Sequence, residues 1–288
     1  MKDETLKTAP DMTAPNKKLS DDGGKEKTPD KSESPKASWS VRIWSEVKFF
    51  LGLGSFMMLF LTFVWGHYKI PSESMLPTLE VGDHLYVSKF AYGFSRHSAP
   101  FNLHKLPFLK DGQIFSRDPK RGDVTVFRNP KSGIVMIKRV IGLPGDKVRM
   151  HRGRLYINNI IVPRTNIDNY LYRQHPSPFQ EAMKEPGSIT GVDVYEEQWP
   201  DEDAPHLIYE QTDLATLDNT KEFLVPEDTF FFMGDNRDNS TDSRADSGPG
   251  FVPRDHLIGR AELMMFSFKR CAKEPDTRCP PLRFMKPL

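Results

Sequence analysis

The chain has 288 residues, enough for one large or two modest domains with a real core. Its formal charge is +1, from 40 Lys+Arg against 39 Asp+Glu, which leaves no electrostatic case for a nucleic-acid partner. The two cysteines, Cys271 and Cys279, are too far apart for a C-x-x-C redox or zinc motif.

Residues 1 to about 37 are rich in Lys, Asp, Pro, Ser and Thr and nearly empty of large apolar side chains. Such a segment cannot offset its ordering entropy, so residues 1–47 are predicted to form a disordered tail. The run "FFLGLGSFMMLFLTFVWG", residues 49–66, carries no charge. At about 1.5 Å per residue it spans about 27 Å, the thickness of bilayer hydrocarbon, and a transmembrane helix is expected over 48–68. A buried core helix would show a polar face, and a cleaved signal peptide would be shorter and nearer the N-terminus. Trp39 and Trp44 before the run, with Trp65 and Tyr68 at its end, fit aromatic belts at both interfaces. Lys36, Arg42 and Lys48 precede it and only Lys69 follows closely. The positive-inside rule therefore places the tail in the cytoplasm and everything from about residue 70 outside.

Directly after the span comes "PSESMLPTLEVGD", residues 71–83. Gly66 to Ser74 reaches at most about 28 Å when extended, which keeps Ser74 near the membrane surface. In an extended segment Ser72 and Ser74 point to one side and Glu73 to the other. Two readings stand: a Ser/Pro linker with solvated hydroxyls, or one hydroxyl attacking a carbonyl carbon while the other binds its oxygen. Residues 91–115, "AYGFSRHSAPFNLHKLPFLKDGQIF", either dip into the outer leaflet through Phe101 and Phe108 or fold over a β-core.

Short β-type runs then recur: "HLYVSKF", "DVTVFRN", "GIVMIKRVIG", "KVRMHRG", "RLYINNIIV", "FLVPEDTFFFMGD" and "LIGRAELMMFSF". Pro144-Gly145 and Asn158-Asn159 mark turns between them. No βαβ alternation or long amphipathic helix occurs, so the fold class is mainly β and antiparallel. Residues 164–222 are polar, acidic and irregular and read as an inserted lobe.

Within "GIVMIKRVIGLPGDKV", alternation sets Lys138 on a face with Met136 and Val140, opposite Ile137, Arg139 and Ile141. An amine in apolar surroundings loses hydration of its charged form, so its pKa falls and it becomes available as a base. The other reading is a lysine that snorkels outward or pairs with an acid. Arg139 stays protonated and suits a structural ion pair. The eight histidines show no triad context, and there is no G-x-S-x-G elbow.

"MGDNRDNSTDSRADSG", residues 233–248, is dense in Asp, Asn, Ser and Gly. Counted from Asp235 or Asp238 it lacks the Gly and Glu of an EF-hand. It is either a solvated turn or a loop supporting a site, with Ser240 offering its hydroxyl to an amine and Asp242 paired with Arg244. Cys271 and Cys279 are either free thiols or, in an oxidising compartment, a small disulfide loop.

Together these stretches resemble bacterial type I signal peptidase, or leader peptidase, a membrane-anchored Ser/Lys protease family. The likeness covers about 48 to 268, in order "PSESMLPTLEVGD", "RGDVTVF", "IKRVIGLPGD", "GDNRDNSTDSR" and "GFVPRDHLIGRA". It implies Ser74 as nucleophile, Lys138 as general base, and an oxyanion hole of the Ser72 hydroxyl and the Ser74 backbone N–H. It also implies that Ser240 orients the Lys138 amine, that Asp242, Arg244 and Arg139 brace the site, and that no metal or cofactor takes part. The organisation it suggests is a cytoplasmic tail 1–47, a span 48–68, a catalytic core 69–163 and 223–270 around the lobe 164–222, and a C-terminal tail 271–288. The implied activity is cleavage of signal-peptide-bearing precursors after small residues, A-x-A, by an enzyme anchored in the bacterial inner membrane. Its catalytic domain would face the outer side, its partners would be precursors and the lipid bilayer, and it would work near the secretion translocon without nucleic acid. Met75 and Ile137 are candidate pocket walls. Glu73 departs from the family's frequent glycine, which adds a negative charge beside the serines.

Two rivals are weighed against this reading. A self-cleaving regulator of the SOS-repressor type would need a DNA-binding helical domain where this chain has a tail and an anchor. A non-enzymatic envelope scaffold would function without Ser74 or Lys138.

Overall fold

The computed structural model describes residues 39–95, 97, 115–176, 178–199, 205–267, 277–279 and 282–288. Helix α1 (Trp39–Phe63) has 25 residues, a length of about 37 Å. Its stretch Arg42–Phe60 is apolar and long enough to cross a membrane, and none of it is buried. Phe49, Leu51, Phe56 and Met58 are all exposed. The helix's apolar, exposed surface makes it a candidate membrane span. The described part of the chain up to Phe50 forms one unit, and Leu51–Leu288 forms another.

The helix ends earlier than the hydropathy suggests. Trp65–Lys69 is strand β1, antiparallel to β2 (Asp83–Ser88) from Trp65↔Ser88 to Lys69↔His84. Trp65 meets Tyr86 edge-on at 5.5 Å and Tyr68 packs against the core, so two aromatics expected in a membrane belt are held by the sheet. Chain order continues with β3 (Val124–Arg128), β4 (Val135–Gly142), β5 (Lys147–His151), β6 (Arg154–Ile157) and β7 (Ile160–Ile161). Next come β8 (Arg164–Arg173), the short helix α2 (Pro178–Ala182), β9 (Ile189–Glu197) and β10 (His206–Glu210). The last strands are β11 (Phe223–Leu224), β12 (Thr229–Met233), β13 (Val252–Pro253), β14 (Leu257–Ser267) and β15 (Phe284–Pro287).

Every strand pair is antiparallel. The largest sheet has eight strands in the order β1-β2-β14-β3-β4-β12-β13, with β15 on β14. A second sheet, β11-β5-β6-β7, turns at Asn158 and Asn159, both with positive φ, and Gly145 at φ +85° completes the Pro144-Gly145 turn. The third sheet, β10-β9-β8, gives residues 164–222 more regular structure than their polar sequence suggests. Six of the ten residues of β8 are exposed, so no hydrophobic period announces the strand.

Two apolar clusters meet at β4 and β12. Phe230 and Phe232 pack with Phe127 and Val140, whereas Phe231 and Met233 pack with Ile141, Val148 and Trp199. The run "TFFFM" is continuous rather than alternating because β12 is buried on both faces. Ile137, near the other end of β4, packs with Met75, Leu79 and Val126, tying the strand to the segment that follows Ser74.

Three expected features fall wholly or partly outside the described residues: Phe101 and Phe108 of the leaflet-dipping loop, and Cys271. Cys279 is disulfide-bonded. Residues near the C-terminus attach to the largest sheet, with β15 on β14 and the Arg283 guanidinium donating to the Thr78 carbonyl at 3.0 Å and to Asp83.

Gly142 sits where the sheets crowd together. A methyl there would lie 2.8 Å from Val148 Cγ2, 2.9 Å from Val225 Cγ2 and 3.0 Å from Phe231 Cβ. Gly142→Ala is expected to lower stability by about 1–3 kcal/mol through overpacking. Differential scanning fluorimetry reads this as a fall in Tm, and an unchanged Tm would mean that the valines swing aside without strain.

Candidate active site

The segment 71–80 is a tight turn and not the extended segment in which Ser72 and Ser74 would share a side. Leu76 N–H donates to the Glu73 carbonyl at 3.0 Å, and Leu79 N–H to the Met75 carbonyl at 2.8 Å. Met75 and Leu79 are thereby driven into the core, each fully buried. The turn still brings the two hydroxyls together, with Ser72 Oγ 3.3 Å from Ser74 Oγ. Ser72 is exposed and Ser74 is buried, so one hydroxyl faces solvent and the other faces the protein. Met75 is sealed away from any ligand, which removes it as a pocket wall, while Ile137 is only partly buried.

Lys138 comes from the middle of β4, opposite Thr125 of β3. Its Nζ donates to Ser74 Oγ at 2.5 Å and to the Ile137 carbonyl at 3.1 Å. Lys138 is 4% exposed and Ser74 is 8% exposed, so solvent does not screen the contact. Burial pushes the Lys138 amine down to about 8; the carboxylates of Asp242 and Asp235 act the other way, and Arg244 adds to the lowering. A neutral amine within hydrogen-bond reach of a hydroxyl can take its proton, which is what a serine nucleophile requires.

Arg139 points away from Lys138, as strand alternation demands. Its Nε donates to Asp235 Oδ1 at 2.8 Å and its Nη2 to Asp235 Oδ2 at 2.7 Å. Thr78 Oγ donates to the same Oδ2 at 2.5 Å, which links the serine turn to the ion pair. Burial alone would raise the Asp235 carboxyl, but the Arg139 guanidinium outweighs it and holds it below its ordinary value. Asp242 and Arg244 form the expected pair, with Arg244 Nε to Oδ1 and Nη2 to Oδ2 both at 2.9 Å. Asp242 is held low in the same way, burial being overcome by Arg244. Gly234 N–H also donates to Asp242 Oδ2 at 3.0 Å.

Ser240 departs from expectation. Its Oγ is buried and has no hydrogen-bond partner among the described residues, so it does not reach the Lys138 amine. The reason lies in the turn around Gly234, where Ser240 and the Ser74 carbonyl crowd so closely that a methyl on Gly234 would sit 2.2 Å from Ser240 Oγ and 2.4 Å from Ser74 O. The amine takes the Ile137 carbonyl as its second acceptor instead.

The carboxylate of Glu73 is engaged by the lobe. It accepts the His175 N–H through Oε1 at 2.5 Å and the Asn239 amide through Oε2 at 3.2 Å. Its charge thus ties the serine turn to residues on either side instead of facing a ligand. Asn236 was not singled out by the sequence, yet its N–H donates to the Ser74 carbonyl at 3.2 Å and its side-chain amide to the Glu73 carbonyl at 3.1 Å. Thr78, Gly234, Asp235 and Arg283 were missed as well. Gly234, Asp235 and Asn236 lie inside the dense polar run 233–248, whose spacing signals a bonded loop but not its partners. Among the described residues, the one group of carboxylates close enough to share a single ion is Glu210, Asp218 and Asp238, which includes none of these residues.

Residues 43–266 match the family model for signal peptidase, peptidase S26. Signal peptidase I of Rickettsia typhi is 35% identical over 205 residues, covering 70% of this chain and 72% of that protein. Signal peptidase I of Pseudomonas aeruginosa is 38% identical over 210 residues, covering 70% of this chain and 64% of that one. The crystal structure of a signal peptidase I from Enterococcus faecalis shares 25% identity, with a TM-score of 0.27 over 50% of this chain and 97% of that chain, a superposition too loose to carry argument. By the extent of the family match, the chain belongs to the signal peptidase family, peptidase S26.

Proposed function

We propose that this chain is a membrane-anchored serine endopeptidase that removes N-terminal signal peptides with Ser74 as nucleophile and Lys138 as general base. The observation that carries the reading is the 2.5 Å contact between the Lys138 amine and the Ser74 hydroxyl, both buried. Neutral Lys138 takes the hydroxyl proton as Ser74 attacks the scissile carbonyl carbon. The oxyanion then lies against the Ser72 hydroxyl and the Ser74 N–H, and the protonated amine returns its proton to the leaving amine. Water, deprotonated by the same amine, opens the acyl-enzyme. In this scheme Arg139, Asp235, Asp242 and Arg244 keep the amine's surroundings fixed, and Ser240 packs against the Ser74 backbone.

The substrate's approach follows from the sheet. β12 pairs with β4 only from Arg139 onward, so Val135–Ile137 have no strand on that side among the described residues. An extended precursor adding there would run past Lys138 and set alternate side chains toward the serine turn, which suits small residues at the first and third positions before the cut. The apolar helix α1 and the short path from Phe63 to Ser74 favour a scissile bond at the membrane surface. An inner-membrane location with the N-terminus in the cytoplasm, and work beside the translocon, complete the reading.

Three measurements test it. Detergent-solubilised protein is expected to cut a secretory precursor after a small residue, and Ser74→Ala and Lys138→Met should each lower the rate by roughly 10⁴-fold or more. Cleavage retained in both variants would remove Ser74 and Lys138 as the catalytic pair, and no cleavage by the wild type would return the scaffold reading. The rate should climb as pH passes the Lys138 value of about 8, because only the deprotonated amine is a base; a flat profile between about pH 6 and 9 removes the lysine.

The third concerns stability. The folded-state pKa lies below the ordinary 10.5, so unfolding takes up a proton between about 8 and 10.5, and the folded protein gains stability as pH rises through that window. Below about 8 the cost of the buried amine is present in full, about 3 kcal/mol. Lys138→Met keeps the stem's volume and removes that cost. Its Tm should exceed wild type at neutral pH, and the gap should close toward pH 10.5; a variant melting lower at neutral pH would contradict the buried-amine account.

A further inference from the structure

Strand β10 ends at Glu210, and the chain loops through 211–222 before β11. Glu210, Asp218 of this loop and Asp238 of the 3-10 turn Arg237–Asn239 each bring a carboxylate oxygen within 4.8 Å of the others. Glu210 is 2% exposed and Asp218 is 0% exposed. Loop amides occupy the outer oxygens. Asp218 Oδ2 accepts Ala215 N–H at 2.6 Å, and Asp238 Oδ2 accepts Gln211 N–H at 2.7 Å and Thr212 N–H at 3.1 Å. The inner oxygens face the opposite situation: Asp218 Oδ1, Asp238 Oδ1 and both oxygens of Glu210 are buried with no hydrogen-bond donor among the described residues.

Nearby guanidinium groups make their hydrogen bonds elsewhere, although Arg237 Nε and Arg244 Nη1 are buried without a partner among the described residues. Arg237 gives both terminal nitrogens to Glu197, and Arg244 binds Asp242. Arg164 donates to Asp213 at 2.6 Å and to the Gly153 carbonyl at 2.7 Å, coming only to 3.4 Å of Glu210 Oε2. Three carboxylates thus bring one oxygen each to a common place with Arg164 at 3.4 Å from Glu210 as their ion-pair partner, an arrangement that a fold sustains when a further cation sits among them.

We propose that Glu210, Asp218 and Asp238 bind a calcium ion that pins loop 211–218 to the turn preceding Ser240. The donor set is oxygen only, which suits a hard cation over zinc or copper. Calcium accepts irregular carboxylate shells at about 2.3–2.6 Å, whereas magnesium keeps several waters and resists so closed a site. An ion at that distance from each oxygen fits the observed spacing. The ligands come from a strand end, a loop and a turn, so the site is unrelated to an EF-hand. Burial raises the Glu210 carboxyl to about 9, which makes a proton the rival occupant. The inference stands apart from the peptidase reading, because none of its ligands is assigned a part in cleavage.

Full-length protein in detergent, stripped with EDTA, is melted against calcium chloride with magnesium chloride as control, and titrated with terbium for emission sensitised by Tyr209, next to Glu210. Asp218→Asn and Asp238→Asn keep an oxygen for the loop amides while removing ligand charge. Tm should rise saturably with calcium by about 5 °C, more than with magnesium. Terbium emission should appear in wild type, fall on addition of calcium and be lost in both variants. Wild type indifferent to calcium and dark with terbium overturns the site, most clearly if the variants melt higher in EDTA, the mark of a cluster that holds a proton. A calcium shift undiminished in both variants overturns it too. If neither variant folds, the wild-type melts and emission decide alone.

Discussion

A lysine amine held out of water against a serine hydroxyl is the interaction on which this structure turns. An ammonium group in such a place would normally be fixed in its charged form by a carboxylate, and two carboxylates, Asp235 and Asp242, are close enough to raise its pKa. Desolvation still wins, because each carboxylate is taken by a guanidinium of its own: Asp235 by Arg139 and Asp242 by Arg244. The two arginines therefore matter for what they cancel. Removing either would leave a bare buried carboxylate beside the amine, which would hold the proton on Lys138 and, on the proposed reading, silence it as a base.

Strand geometry explains how both pairs fit around one side chain. Lys138 and Arg139 are neighbours in β4 and so face opposite ways. Arg139 lies beside Met233 of β12, two residues before Asp235, which delivers the carboxylate to it. The chain then returns through 237–244, with Gly234 N–H on Asp242 and Ser243 bonded to both the N–H and the carbonyl of Phe232. Burial of the three phenylalanines of β12 fixes the root of this loop from both faces. The polar site is thus as rigid as the apolar strand that carries it.

Much of this was legible in the sequence, for reasons that differ by element. The uncharged run announced the long apolar helix, and alternation with paired turn residues such as Asn158-Asn159 exposed the antiparallel strands. Lys138 against Arg139 was readable because period two allows only opposite facing. The end of α1 was not, since Trp65 and Tyr68 serve equally as interfacial anchors or as strand residues, and only pairing with β2 decides. β8 escaped because most of its residues are exposed and its nine paired positions with β9, not an alternating buried face of its own, hold it in place. The proximity of Ser72 and Ser74 was anticipated for the wrong reason, a strand in place of a turn. Ser240 was misplaced because no spacing rule conveys how closely Gly234 lets it approach the Ser74 backbone.

The serine turn is held from several distant parts of the chain. Asn236 grips the Ser74 carbonyl, Thr78 donates to Asp235, Glu73 is bound from the lobe by His175, and Arg283 near the C-terminus caps Thr78 and Asp83. None of these contacts touches the serine hydroxyl, yet together they set where it points, and an error of about 1 Å there can cost about a hundredfold in rate. A hydroxyl fixed so firmly cannot follow its substrate. On the proposed reading the precursor must therefore present its scissile bond in extended form along the open side of β4. Selectivity would then come from which backbones can straighten at the membrane surface as much as from the side chains they carry.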